Sequence, residues 1–426
     1  MTAAIHAGRP PIVTGALLLR MTTVVASSIG FFLPFAVVPE YAERSAGATV
    51  AGAANAALLV TTVAVELAAP ALVARLGYRW ALGLGLLALG APTLALMTSS
   101  DTAVIIAVSV LRGIGFAVTV VAGGALTAEL LPASRRGEGL ALVGLVSGVS
   151  ALLALPAGTW LAQTVGYDAV FAATAAVPIL SVLAVPFLPA RPTATARTTG
   201  PTIGRVVEGT AEGAAGGAAE DAAEDAAGRA GDGAVGVLAG LRSPMLMWPA
   251  AVFAASAAGT GILCTFVPLA VRGGPVWVAP AALLAQSATA TLAKWVAGRA
   301  GDRRGHEGLM LPGLVLSAAG MAVVSMTHWS AGVVIGAAVF GAGFGVLQNA
   351  TMTIMYGRVR PAMFSTVSAL WNAAYDSGMA AGAFAVGLLA PMTGYPPALL
   401  IAAALMAVAV TLVPRARTAL PSMEPR

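Results

Sequence analysis

Gly298-Arg299-Ala300-Gly301-Asp302-Arg303-Arg304-Gly305 decides the fold, because its frame stands a first time 228 residues earlier, at Pro70-Ala71-Leu72-Val73-Ala74-Arg75-Leu76-Gly77. At the same offset and without a gap, Gly113, Gly115 and Phe116 fall on Gly341, Gly343 and Phe344, and Gly166-Tyr167 falls on Gly394-Tyr395. One fold is used twice. Repeats that run through apolar segments and keep glycines and arginines in register point to a transporter with its substrate site between the copies. The offset also sets Glu66 against Lys294, two ionisable residues of opposite charge inside apolar segments.

Composition places the chain in lipid. Of 426 residues 58% are hydrophobic and 10% charged, too few polar side chains to cover a soluble globule. Apolar stretches of about 20 residues, the length that crosses a bilayer core, recur throughout. They predict an all-α membrane protein with twelve spans, near residues 21–39, 48–73, 80–98, 102–126, 139–162, 168–189, 245–268, 279–298, 308–327, 331–355, 364–389 and 397–413. The first run is followed by Glu40, Tyr41, Glu43 and Arg44 rather than by a cleavage site, so it reads as a retained span. On this segmentation Arg75, Arg79, Arg135, Arg136, Arg299, Arg303, Arg304, Arg358, Arg360, Arg415 and Arg417 share one face, and Arg44 and Arg272 lie on the other. The positive-inside rule then puts both termini in the cytoplasm of a multi-pass plasma (inner) membrane protein. The net charge of +5 is thereby a matter of membrane orientation, not of nucleic acid.

The chain divides into an N-terminal six-helix bundle (1–190), a segment rich in Thr, Gly, Ala, Asp and Glu (191–243), and a C-terminal six-helix bundle (244–426). The middle segment lacks an apolar face to bury and reads as a cytoplasmic flexible linker, with a regulatory or binding segment as the alternative. Cys264 is the one cysteine, so no intramolecular disulfide forms; His6, His306 and His328 have no ligand spacing with it, and no metal site is expected. Gly341-Ala342-Gly343 follows no strand and has no third glycine in place, so it is not a dinucleotide loop, and no Walker-type lysine loop occurs. No nucleophile, base and orienting group converge in the sequence. Neither an enzyme nor a cofactor is expected.

Gly298-Arg299-Ala300-Gly301-Asp302-Arg303-Arg304-Gly305 resembles the G-x-x-x-D-R-x-G signature of the major facilitator superfamily. The N-terminal copy keeps Arg75, Gly77 and Arg79, but Pro70 and Ala74 replace the glycine and the aspartate. Ser134-Arg135-Arg136-Gly137-Glu138-Gly139 and Trp371-Asn372-Ala373-Ala374-Tyr375-Asp376-Ser377-Gly378 look like the corresponding segments of twelve-helix bacterial efflux members, while Leu155-Pro156-Ala157-Gly158 partly matches the drug-antiporter motif. The resemblance implies a cytoplasmic gate at Arg75, Gly77, Arg79, Gly298, Asp302, Arg303 and Gly305. It implies a central cavity lined by the first, fourth, seventh and tenth helices and lateral gates from the second, fifth, eighth and eleventh. On that scheme Phe31, Phe35, Arg112, Phe266, Gln348 and Asn349 are substrate-binding candidates, joined by Trp371, Asn372 and Tyr375 on one face of the eleventh helix.

A charge near the bilayer centre costs at least about 2.5 to 3.5 kcal/mol, so each needs a partner, a wet cavity or a function. Glu66, Arg112, Lys294 and Asp376 are such charges and form the proton-coupling set. Burial favours the neutral carboxylic acid and a nearby cation favours the carboxylate. Glu66 and Asp376 can thus alternate between a protonated state and one paired with Arg112 or Lys294. Permanent ion pairs holding helices in register are the other reading, as is a Lys294 stem that snorkels to the interface. The expected function is proton-coupled export of a small amphipathic organic molecule by a monomer in the lipid bilayer. The alternatives are proton-coupled import of a nutrient and a membrane sensor or scaffold that does not transport.

Overall fold

The computed structural model describes residues 13–132, 135–189, 242–360 and 363–417, and the regular structure among them is helical. The N-terminal half comprises α1 (Gly15–Phe32), α2 (Val37–Leu76), α3 (Tyr78–Gly90), α4 (Thr102–Leu130), α5 (Arg136–Thr164) and α6 (Tyr167–Ser181). The C-terminal half comprises α7 (Pro244–Ala270), α8 (Val278–Arg304), α9 (Glu307–Val324), α10 (Ser330–Gly357), α11 (Phe364–Thr393) and α12 (Tyr395–Arg417). Short 3-10 turns, Ala91–Met97 and Val182–Phe187, extend α3 and α6. Of the expected linker, all but residues 242 and 243 lies outside the described residues, as do Ser134 and the side chains of Arg136 and Glu138.

Among the described residues nine stretches are long and apolar enough to cross a membrane, the first running through both α1 and α2. α8 is not among them; it carries Lys294, Arg299, Asp302, Arg303 and Arg304. The first two spans differ from expectation. α1 ends at Phe32, because Pro34 has no N–H to continue the ladder. α2 then starts at Val37 and breaks at Gly47, whose φ of 83° suits a residue without Cβ, so Glu40, Tyr41, Glu43 and Arg44 sit on a short helical piece ahead of the main span.

The duplication read from the sequence is structural. Gly77 (φ 78°) and Gly305 (φ 84°), equivalent in the two halves, end α2 and α8 by donating to the carbonyls of Val73 and Gly301. A side chain there would be strained, which accounts for glycine in both copies of the signature. A Cβ on Gly113 would strike the Leu58 carbonyl and one on Gly341 the Gln286 carbonyl, again equivalent pairs, so α4 lies as close to α2 as α10 does to α8. Small residues permit such approach in lipid, where packing and not hydrophobicity drives helix association.

The halves meet along two pseudo-equivalent lines, α2 on α11 and α5 on α8. At the arginine-poor end the interface is sealed. Thr49 Oγ1 donates to the Gly387 carbonyl at 3.1 Å, and Gly52 lies directly against Ala383 and Gly387. Deeper in, Asn55 Nδ2 reaches Phe35 O at 3.2 Å and Thr265 Oγ1 at 2.9 Å. At the rim, Glu43 accepts from Arg272 and, at 3.0 Å, from the Tyr395 hydroxyl, while Glu40 accepts from Tyr167 at 3.0 Å and lies 3.8 Å from Arg44. One acidic turn of α2 thus holds the loop after α7 and the start of α12.

Candidate functional site

Below this seal, toward the arginine-rich end, an open cavity separates the halves. Its wall is drawn from α1, α2, α4 and α5 on one side and α7, α8, α10 and α11 on the other. The two sides differ chemically. The N-terminal side offers Phe31, Phe32, Phe35, Leu59, Phe116, Val120, Ala151, Leu152 and Leu155, with Glu66 its single polar side chain. The C-terminal side carries Thr260, Gln286, Ser287, Thr291, Lys294, Gln348, Asn372, Tyr375 and Asp376 among Cys264, Phe344 and Met379.

Aromatic rings stiffen both walls. Phe31 stacks on Phe116 at 3.8 Å between centroids, with Phe32 and Phe35 at 5.0 and 5.3 Å. Opposite, Phe344 and Tyr375 lie 6.0 Å apart, and each is within 5.8 Å of Phe253 in the core behind them. Such offset stacks add about 0.5–1.5 kcal/mol per pair to the area they bury. They also fix the cavity's shape.

Three of the four expected coupling residues, Glu66 on α2, Lys294 on α8 and Asp376 on α11, face this cavity. Glu66 and Asp376 come from opposite halves, on helices α2 and α11 that pack on each other. Arg112 is a correction. It is 1% exposed and turns from the cavity wall toward α1, where Nη2 donates to the carbonyls of Gly30 and Phe31 at 3.3 and 3.2 Å. The helical partner of the Gly30 carbonyl would be the N–H of residue 34, which Pro34 lacks, and the Phe35 N–H goes to Phe32. The guanidinium satisfies two carbonyls that the end of α1 leaves open.

Of the substrate-binding candidates, Phe31, Phe35, Gln348, Asn372 and Tyr375 line the cavity, and Phe266, Asn349 and Trp371 do not. Phe266 is fully buried 6.0 Å from Tyr395 near the seal. Trp371 lies flat on Phe253, centroids 4.2 Å apart, and its indole N–H donates to Thr351 Oγ1 at 3.0 Å, a packing role in the interior of the half. Asn349 is buried against Gly298, where a Cβ would come within 3.4 Å of its Nδ2. Lining residues that the sequence reading passed over include Phe32, Phe116, Gln286, Ser287 and Thr291. Ser287, Thr291 and Lys294 are spaced four and three apart on α8, the signal that marks one helix face.

At the expected gate, Gly77 and Gly305 make the turns already described, Arg79 Nε donates to Leu188 O, and Arg75 and Arg303 are exposed. The Asp302 side chain lies outside the described residues. Among the described residues no three His, Cys, Asp or Glu side chains gather where a metal could sit.

Two repeated six-helix halves closed over a cavity that faces one end at a time are the build of a secondary transporter working by alternating access. The chain belongs to the Major Facilitator Superfamily, whose sequence profile matches residues 21–383. No curated protein matches the sequence. The fold is similar to the nucleoside transporter NupG (12% identity, 93% of this chain and 99% of that chain covered, TM-score 0.72) and to an auto-inhibited POT family peptide transporter (11%, 97% and 99%, TM-score 0.74). It is also similar to the xylose transporter XylE from E. coli in a partially occluded inward-open conformation (12%, 97% and 100%, TM-score 0.66).

Proposed function

We propose that this protein exports a small amphipathic organic molecule across the plasma (inner) membrane in exchange for protons, with both termini and the linker at 191–243 in the cytoplasm. The observation that carries this reading is the carboxylate pair, Glu66 from one half and Asp376 from the other, in the cavity between them. Groups on opposite halves change their separation when the halves rock, so their protonation and the conformation are thermodynamically linked. The phenylalanine wall facing amides and hydroxyls suits a solute with one apolar and one polar face. With the arginine-rich end in the cytoplasm, the open cavity faces the compartment from which an exporter loads. The signature segment around Asp302, with Arg75, Arg79 and Arg303, acts as the cytoplasmic gate that closes when the seal opens.

Purified protein in liposomes, with an imposed pH gradient and a panel of amphipathic solutes, tests the reading. Movement of solute against proton flow is expected. Solute moving with the protons identifies an importer, and solute movement indifferent to pH removes proton coupling.

A further inference from the structure

Two carboxamides of the cavity wall, Gln348 and Asn372, stand side by side and bond to no described residue. Phe344 on α10 and Tyr375 on α11 bring their rings to 6.0 Å in the C-terminal wall. Counted from them toward the arginine-rich end, Gln348 lies four residues along α10 and Asn372 three residues back along α11, about 6 Å and about 4.5 Å at 1.5 Å per residue. Just beyond, the Trp371 indole N–H donates to Thr351 Oγ1 at 3.0 Å, so α10 and α11 touch at this depth and the two amides are neighbours. They are only 4% and 9% exposed, and polar side chains so deeply buried are as a rule hydrogen-bonded. The same wall holds the buried Thr260 hydroxyl, also without a partner among the described residues, whereas Thr351 bonds back to the Leu347 carbonyl at 2.7 Å. Across the cavity the N-terminal wall is phenylalanine, with Phe31 stacked on Phe116.

We infer that the transported solute carries an uncharged amide edge, that of a lactam, cyclic urea or imide, on an aromatic body, and that Gln348 and Asn372 read this edge while the body lies against Phe31 and Phe116. The inference rests on the cavity being the transport site proposed above and names its substrate class. A carboxamide offers an N–H donor and a C=O acceptor together. An ammonium only donates and would leave the two amide NH2 groups unmatched; a carboxylate only accepts and would leave the two amide oxygens unmatched. A lactam donates and accepts along one edge and matches both. A sugar also donates and accepts, but its hydroxyls run all round the ring and would be buried unpaired against the phenylalanine wall. Glu66 and Asp376 are then left to the proton, and the solute brings no charge of its own into the cavity.

The test is equilibrium binding to the detergent-purified full-length protein, by calorimetric titration and by ligand-induced shift of thermal unfolding. The probes are quinolinone, isoquinolinone and quinazolinedione, each beside its fully N-methylated form, which keeps the ring and the acceptor and loses the donor. Naphthylmethylamine, naphthoate and phenyl glucoside supply the cation, the anion and the sugar. The lactam of at least one scaffold is expected to bind about tenfold or more tightly than its N-methyl form and than the charged and sugar probes. In Gln348→Met and in Asn372→Leu that preference for the lactam over its N-methyl form disappears. The readout is a ratio within one protein, so a variant that merely loosens the fold weakens both members and leaves the ratio; if either variant fails to fold, the wild-type ratio decides by itself. Equal binding of lactam and N-methyl form on every scaffold, tighter binding of the amine, the carboxylate or the glucoside, an unchanged ratio in either variant, or no binding by any lactam overturns the inference. A solute without an amide edge exchanged for protons in liposomes would leave the exporter reading standing while the substrate class falls. A bound lactam that no pH gradient moves would do the reverse.

Discussion

Adding one methyl group at Gly52 should open the seal without unfolding the protein. A Cβ there would sit 3.0 Å from Gly387 Cα on α11 and closer still to the Ala383 carbonyl oxygen. Carbon atoms in good contact stand about 3.5–4.0 Å apart, so α2 and α11 must part by about 0.5–1 Å or more at this point. Overpacking of this kind costs about 1–3 kcal/mol. Gly52 and Gly387 belong to different halves, so the strain is relieved by rocking the halves rather than by melting either. An equilibrium biased by that amount shifts about 5- to 150-fold toward the state with the seal open. Cys264, the one cysteine, lines the cavity beneath the seal and reports the change. In right-side-out vesicles, Gly52→Ala should raise the rate at which an impermeant thiol reagent modifies Cys264 by a factor in that range, and Cys264→Ser should abolish the signal. Gly113→Ala is the control, because its Cβ would strike Leu58 and Thr61 within the same half. It should lower Tm and leave Cys264 reactivity unchanged. A Gly52→Ala protein with lowered Tm and unaltered Cys264 modification would refute the argument.

Glu43→Gln weakens the rim contacts with Arg272 and Tyr395; because the pair is partly exposed, about 0.2–1 kcal/mol is at stake, and Cys264 labelling should rise by less than in Gly52→Ala. A larger effect than that of Gly52→Ala would place the seal at the rim instead of at the helix contact. Glu66→Gln and Asp376→Asn should each abolish solute accumulation driven by a pH gradient while counterflow exchange of labelled solute persists; intact accumulation in both variants would remove the carboxylates from coupling. Arg112→Leu should cost about 1–3 kcal/mol by leaving the Gly30 and Phe31 carbonyls without a donor, seen as a lower Tm, with coupling retained in the surviving protein. Unchanged Tm with coupling lost would return Arg112 to the proton path.

Much of the fold was legible in the sequence because the bilayer leaves the chain few choices: apolar runs become helices, and glycines repeated at a fixed offset mark the turns and close approaches that both halves need. The spacing alone singles out Gly77 with Gly305 and Gly113 with Gly341. The break between α1 and α2 could not be placed by hydropathy, since residues 33–36 are as apolar as their neighbours; Pro34 was the cue, through the N–H it lacks. Charged and amide residues in apolar helices announced Glu66, Lys294, Asp376, Gln348 and Asn372. Arg112 misled because its partners are backbone carbonyls, which carry no sequence identity. Trp371 misled because neighbours on one helix face, Trp371 and Tyr375, can straddle the line between core and cavity wall.

Seal and acid pair lie on the same two helices, and that ties conformation to charge. From Gly52 to Glu66 along α2 is about 21 Å at 1.5 Å per residue. A rotation of about 10° about the Gly52 contact therefore carries Glu66 through about 4 Å, as a lever of that length requires. Opening the seal pushes the far ends of α2 and α11 together, so Glu66 and Asp376 approach as the cavity turns outward. Two unit negative charges about 6 Å apart repel by about 3 kcal/mol even at an effective dielectric constant of 20. The bare pair resists that closure, and a proton on either carboxylate removes the resistance. On the exchange proposed above, passage is open to the protonated protein and resisted by the ionised one.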